Sequence, residues 1–83
     1  MAEQDIGKVS TFFARPVVAG IELISNLSVG DTVHIKGHTT DIEFPVHSMQ
    51  VNNKEVQHAE AGASVGIKVP DRVRPGDQVF KIT

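Results

Sequence analysis

Asn26-Leu27-Ser28-Val29-Gly30-Asp31-Thr32-Val33-His34-Ile35-Lys36-Gly37 is the stretch whose reading decides the fold. It reads as a tight turn that opens straight into a strand. Gly30 takes the positive φ that such a turn needs and that a residue with a Cβ resists. Beyond it, Val33 and Ile35 alternate with His34 and Lys36, the two-residue period of a half-buried strand. The phrase returns near the end as Val73-Arg74-Pro75-Gly76-Asp77-Gln78-Val79-Phe80. There Pro75 sets φ at the first corner and Gly76 suits the second, the signature of a type II turn. Asp31 and Asp77, each following a turn glycine, read as turn hydrogen-bonding groups. Two Gly-Asp turns launching two strands predict a barrel with an internal pseudo-repeat.

Outward from that stretch, the alternation predicts a strand from Ile6 to Ala14, stopped by Pro16, which lacks a ladder N–H and restricts Arg15. Either Phe12 or Phe13 faces inward; the pattern alone leaves both open. A second strand runs from Val17 to Ile24 with Val17, Ala19, Ile21 and Leu23 on one face. Gly20 on its other face marks a bulge or a close backbone approach. Ile42 to Val51 is the longest strand, and its phase slips at His47-Ser48. A slip of one residue flips every later side chain unless a β-bulge absorbs it, so a bulge is expected there. Asn52-Asn53 makes a two-residue type I′ hairpin, since Asn tolerates positive φ. Lys54 to Ala59 returns, Glu60 to Ala63 is a short connection, and Ser64 to Val69 places Val65, Ile67 and Val69 inside. Gln78 to Ile82 completes the chain. No window carries helical spacing, so the expectation is an all-β, closed antiparallel barrel of six or seven strands.

Eighty-three residues allow one small domain: residues 1–5 as a flexible, acidic N-terminus and 6–83 as the barrel. There is no cysteine, hence no disulfide or thiolate chemistry, which fits a cytoplasmic location. No apolar run is long enough to span a membrane. The net charge of −2 means that any contact with nucleic acid must come from a local patch.

Val17-Val18-Ala19-Gly20, Leu27-Ser28-Val29-Gly30-Asp31, Ala61-Gly62-Ala63-Ser64-Val65-Gly66-Ile67 and Pro75-Gly76-Asp77-Gln78-Val79 together resemble domain II of the translation GTPases, the Greek-key barrel of elongation factor Tu and its relatives. The resemblance implies that fold, and an association with tRNA or ribosomal RNA in which Arg15 stands about where the family's basic hairpin residue does. A similar small barrel also occurs as a terminal domain of collagenase-type peptidases, which implies a protein-docking role instead. The chain has no Gly-x-x-x-x-Gly-Lys-Ser/Thr loop, so no nucleotide is expected.

Among chemistry-bearing groups, His34, His38, His47 and His58 lack a ligand pattern. His34 and His38 sit about 13 Å apart along an extended strand, and no cysteine joins them. Four solvent-facing strand histidines are the expectation, with no metal and no cofactor. Ser, His and Asp are all present, but no local signature assembles a nucleophile, a base and an orienting group, so no enzyme is expected. The binding candidates are Arg15, Lys68, Arg72 and Arg74. The last two sit in a loop bounded by Pro70 and Pro75 that also holds Asp71, with Asp77 and Lys81 following. With no Trp or Tyr, stacking platforms for bases are scarce. One contiguous basic face would favour RNA; scattered positions would favour a protein partner.

Overall fold

A computed structural model describes residues 2–14 and 17–82. Its strands are β1 (Glu3–Ala14), β2 (Val17–Leu23), β3 (Leu27–Ser28), β4 (Thr32–Lys36), β5 (Asp41–Pro45), β6 (Met49–Val51), β7 (Lys54–Val56), β8 (His58–Ala59), β9 (Ser64–Lys68) and β10 (Gln78–Ile82). All pair antiparallel, and the described residues hold no helix. No helix is therefore long and apolar enough to cross a membrane among them. Eight strands form one sheet in the order β5-β4-β10-β1-β2-β9-β6-β7, and β3 pairs with β8 in a small ribbon. The all-β expectation holds. The closed barrel does not follow from these ladders, because no described ladder joins β5 to β7.

The strand count exceeds six or seven because two expected strands are divided and Leu27–Ser28, expected as part of a turn, adds a short one. Ile42 to Val51 is not one strand with a bulge. Pro45 ends β5 at one end of the sheet order, and Met49 starts β6 near the other. Between them Val46 is buried, donating its N–H to Asp31 O at 2.8 Å and accepting from Gly30 N at 2.9 Å. The phase slip is real, but a change of sheet position absorbs it. Lys54 to Ala59 likewise splits at Gln57, whose carbonyl accepts from Val29 N.

Bulges lie elsewhere, in β1: one leaves Ile6 extra against β10, between the Asp5–Phe80 and Gly7–Val79 pairs, and the other faces β2. Val9 pairs with Ile21 and Thr11 with Gly20, which leaves Ser10 as the extra residue. That single insertion reverses the phase, so Val9 and then Phe12 face the core while Phe13 is left 55% exposed. Val17, expected inside with Ala19, Ile21 and Leu23, is exposed at the β1–β2 hairpin end. β1 also begins at Glu3, within the segment expected to be flexible, because Glu3 pairs with Ile82 and its carboxylate meets His34.

The two Gly-Asp turns are built alike. Gly30 and Gly76 have φ of 99° and 95°. Asp31 N donates to Ser28 O and Asp77 N to Arg74 O, both at 3.1 Å. Each Asp carboxylate then accepts the N–H of the residue three before it, Ser28 or Arg74, at 2.9 Å. Each turn finally clamps a strand residue through two backbone bonds. Val46 is held by Gly30 N and Asp31 O, and Val9 by Gly76 N and Asp77 O. A third copy stands at Glu60–Ala63, where Gly62 (φ 91°) and Ala63 clamp Leu23 in the same way, without the carboxylate. The three clamped residues, Val9, Leu23 and Val46, are all core residues. The hairpin at Asn52-Asn53 has the expected positive φ values of 53° and 64°.

Candidate functional site

Three of the four basic candidates fall among the described residues, and they line two different depressions. Arg72 and Arg74 line a shallow depression beside Phe12, Ala14, Val73 and Pro75. Lys68, outward-facing at the end of β9, lines a different one with Val18, Ser48, Gln50 and Gly66. Lys81 lies apart from both, its ammonium bonded to Asn26 Oδ1 at 2.7 Å. Arg15 lies outside the described residues. Asp71 Oδ1 accepts from Arg72 N and Asp77 Oδ2 from Arg74 N, so local carboxylates order this loop and dilute its positive charge.

The four histidines are not all solvent-facing strand residues: His38 and His47 are exposed but lie between strands, while His34 and His58 join local arrangements that the sequence did not disclose. His34 is half-buried and bridges two carboxylates, with Glu3 at Nδ1 and Asp41 at Nε2, the latter at 2.5 Å. The Asp41 hydrogen bond first, then that of Glu3, raises the His34 pKa above the ordinary histidine value. The same bond lowers the Asp41 pKa. Glu3, His34 and Glu43 also bring their ligand atoms within 4.8 Å of one another, a set that could hold a cation. Nothing local flags it, because the three residues come from β1, β4 and β5. The only cue was alternation, which puts Glu43 opposite His34 once the β4–β5 register is known.

Ser28 and His58 face each other across the β3–β8 ribbon, with Oγ and Nδ1 at 2.7 Å, and Glu60 lies 4.0 Å from Nε2. A serine, a histidine and a carboxylate in line have the order of a hydrolase triad. The carboxylate is beyond hydrogen-bond range and 85% exposed, and no surface depression among the described residues is lined by the three. The geometry makes a cross-strand hydrogen bond rather than a water-excluded catalytic site.

An apolar-walled groove of about 510 Å³ lies on the outer face of β1, β2, β9 and β6. Its floor follows from the register. Thr11 pairs with Gly20, Gly20 with Gly66, and Gly66 with Gln50, so one row across four strands carries two adjacent glycines. The next row, Phe13 and Val18, forms a wall. Asn52, Asn53 and Ser64 complete a rim of amides and a hydroxyl; among the described residues no charged side chain lines it, while Lys68 lines an adjoining depression that shares Val18, Gln50 and Gly66. The sequence pointed to this place only through Gly20, read as a mark of a bulge or a close backbone approach, and a bulge does lie opposite it, at Ser10.

No family model matches the chain. It is 46% identical over 77 residues to an uncharacterized protease of Methanocaldococcus jannaschii, covering 92% of this chain and 19% of that protein. It is 32% identical over 78 residues to a collagenase of Porphyromonas gingivalis, covering 92% of this chain and 22% of the collagenase. The chain thus spans about a fifth of the length of these relatives. Among solved structures, the C-terminal domain of a candidate U32 peptidase of Geobacillus thermoleovorans matches with a TM-score of 0.89 at 17% identity, over 96% of this chain and 93% of that one. These matches overturn the resemblance to domain II of the translation GTPases. Gly-Asp turns carried that resemblance, and the two here are backbone clamps on Val46 and Val9 rather than marks of a family. The association with translation falls with it, and nothing in the comparisons supports an RNA partner. What the chain is similar to, in sequence and in fold, is a small domain of peptidase- and collagenase-type proteins.

Proposed function

We propose that this chain is a non-catalytic docking module that packs against a larger peptidase-like polypeptide. The observation that carries this reading is the match to the Methanocaldococcus jannaschii protease, which takes in nearly all of this chain and only 19% of that protein. A segment with its own hydrophobic core beside a much larger remainder is the anatomy of an accessory domain. The division of Lys68 and the Arg72–Arg74 pair between two depressions, and the incomplete Ser28-His58-Glu60 line, support docking over catalysis.

We also infer that the sheet closes on itself in the folded protein. Only Val46 to Ser48 separate β5, at one end of the strand order, from β6, near the other. The bonds from Val29, Gly30 and Val46 fasten that seam.

The docking reading is tested by deleting the matched 77 residues from the Methanocaldococcus jannaschii protease and titrating the remainder with this chain by calorimetry. Saturable one-to-one binding is expected, with a negative heat-capacity change from buried apolar surface. An absence of heat and of complex on gel filtration overturns docking. Peptide or gelatin hydrolysis by the chain alone, abolished by Ser28→Ala, overturns the non-catalytic part.

A further inference from the structure

Cross-strand partners share a face of a sheet, so the register gathers a second group of side chains on the outside of the fold. One row reads Glu43-His34-Phe80-Asp5 across β5, β4, β10 and β1, and the next reads Pro45-Thr32-Ile82-Glu3. Three carboxylates surround the His34 ring on that face. Asp41, two residues before Glu43, meets Nε2, and Glu3, reaching over β10, meets Nδ1. One carboxylate for each ring nitrogen completes the hydrogen bonding of an imidazole. Glu43 is the surplus. It stands directly opposite His34, and its carboxylate makes no hydrogen bond or ion pair among the described residues. Its oxygen nonetheless lies within 4.8 Å of a Glu3 oxygen and of a His34 nitrogen. Like charges held this close repel, so the fold alone gains nothing from the third carboxylate. The cations of these strands are placed elsewhere: Lys36 is the ladder partner of Asp41, and Lys81 bonds Asn26. Met1 lies outside the described residues.

We propose that Glu3, Glu43 and Nδ1 of His34 bind a divalent transition-metal ion of the zinc type, with Asp41 orienting the ring from Nε2. The site is independent of the docking reading. The donor set chooses the ion. Carboxylates alone would suit magnesium or calcium, whereas an imidazole nitrogen beside two carboxylates suits zinc. A ligating imidazole donates its other N–H to a carboxylate, which fixes the tautomer, and Asp41 already stands in that place. On binding, the ion takes the place of the proton between Nδ1 and Glu3, which leaves to solvent. Ligand atoms about 2.1 Å from a tetrahedral ion stand about 3.4 Å from one another. The exposed Glu3 and Glu43 side chains therefore need only a small rotation from their present spacing. They share a surface depression with Thr32 and Ile82, which leaves room for a water at the fourth position. The ion would tie β1 to β4 and β5 over the top of β10.

The test is a calorimetric titration of Zn²⁺ into the full chain above neutral pH. It is repeated with the amino terminus acetylated, so that the Met1 amine can neither ligate the ion nor neutralise the carboxylates. One saturable Zn²⁺ per chain is expected in both forms. Glu43→Gln should abolish it while leaving the metal-free thermal midpoint unchanged or raised, since that variant removes only a surplus charge. In ¹⁵N spectra of the imidazoles, Zn²⁺ should move Nδ1 of His34 and spare His38, His47 and His58, a reading that needs no variant. Asp41→Asn should keep one site, weaken it about 10-fold and alter the tautomer signature of His34. The absence of saturable heat, Zn²⁺ binding retained in Glu43→Gln, shifts at the other histidines instead, a site lost on acetylation, or equal displacement of Zn²⁺ by Ca²⁺ or Mg²⁺ would each overturn the proposal.

Discussion

Asp77 shows how much one residue carries here. It is 7% exposed, caps Arg74 N, and lies so close to Gly37 that a Cβ there would overlap it. Asp77→Ala leaves a donor unpaired and is expected to destabilise by about 1–3 kcal/mol in chemical unfolding. Gly37→Ala should destabilise on its own, yet cost much less once Asp77 is Ala, with a coupling of about 0.5–3 kcal/mol. Additive effects would show that the two do not meet. The role of Asp77 in its turn was legible, because an acid after a turn glycine bonds locally. Its contact with Gly37 was not, since about half the chain separates them in sequence. The His34 bridge was hidden for the same reason, and it predicts a pH dependence. His34 has a raised pKa in the folded state, so its stabilising effect is fully present below the ordinary histidine value of about 6.5. It fades as pH rises through the folded value. Asp41, with a lowered pKa, contributes above the ordinary carboxylate value and loses its contribution as pH falls. The stability difference between wild type and His34→Gln should therefore be larger at pH 5.5 than at pH 8.5. An equal difference at both would mean that the bridge does not couple to folding.

At the scale of elements, the turns were legible because their chemistry is local. Gly30, Gly76 and Asn52-Asn53 adopt the backbone their residue types announce. The third clamp was missed because Ala63 stands where Asp31 and Asp77 stand in the other two, so the Gly-Asp pattern did not appear. Gly62→Ala should nonetheless destabilise by more than about 1 kcal/mol, as should Gly30→Ala and Gly76→Ala, because all three share the same φ region and hold a core residue. If Gly62→Ala melts like wild type while the other two do not, the clamp depends on the carboxylate rather than on the glycine. Strand phase was less legible than turn type. Alternation detected a slip at His47-Ser48, but an alternation break reads the same whether a bulge or a change of sheet position causes it. The true bulge at Ser10 hid beside an apolar pair, Phe12-Phe13, where either phase looked acceptable.

For the whole molecule, all-β architecture could be read from turn spacing, whereas the same motifs allowed two likenesses, and the comparisons favour the one to collagenase-type peptidase domains. The same clamps suit any strongly curled sheet, and the groove exists only once four strands are in register. The basic residues illustrate this limit. Along the chain Lys68, Arg72 and Arg74 look like one patch, but the fold gives Lys68 one depression and the two arginines another. A chain with a net charge of −2 and divided cations has little to offer a polyanion. Docking through apolar contact should respond weakly to salt. Binding to the truncated protease, measured at low and high salt, is therefore expected to change little, and the Arg72→Ala/Arg74→Ala double variant should bind as wild type does. A polyanion site behaves otherwise: log affinity would fall steeply with log salt, and removing both arginines would flatten that slope by about 1.4 for a single-stranded target. Observing that flattening with RNA, together with salt-insensitive failure to bind the protease, would reverse the assignment and make the arginine loop the working face of this domain.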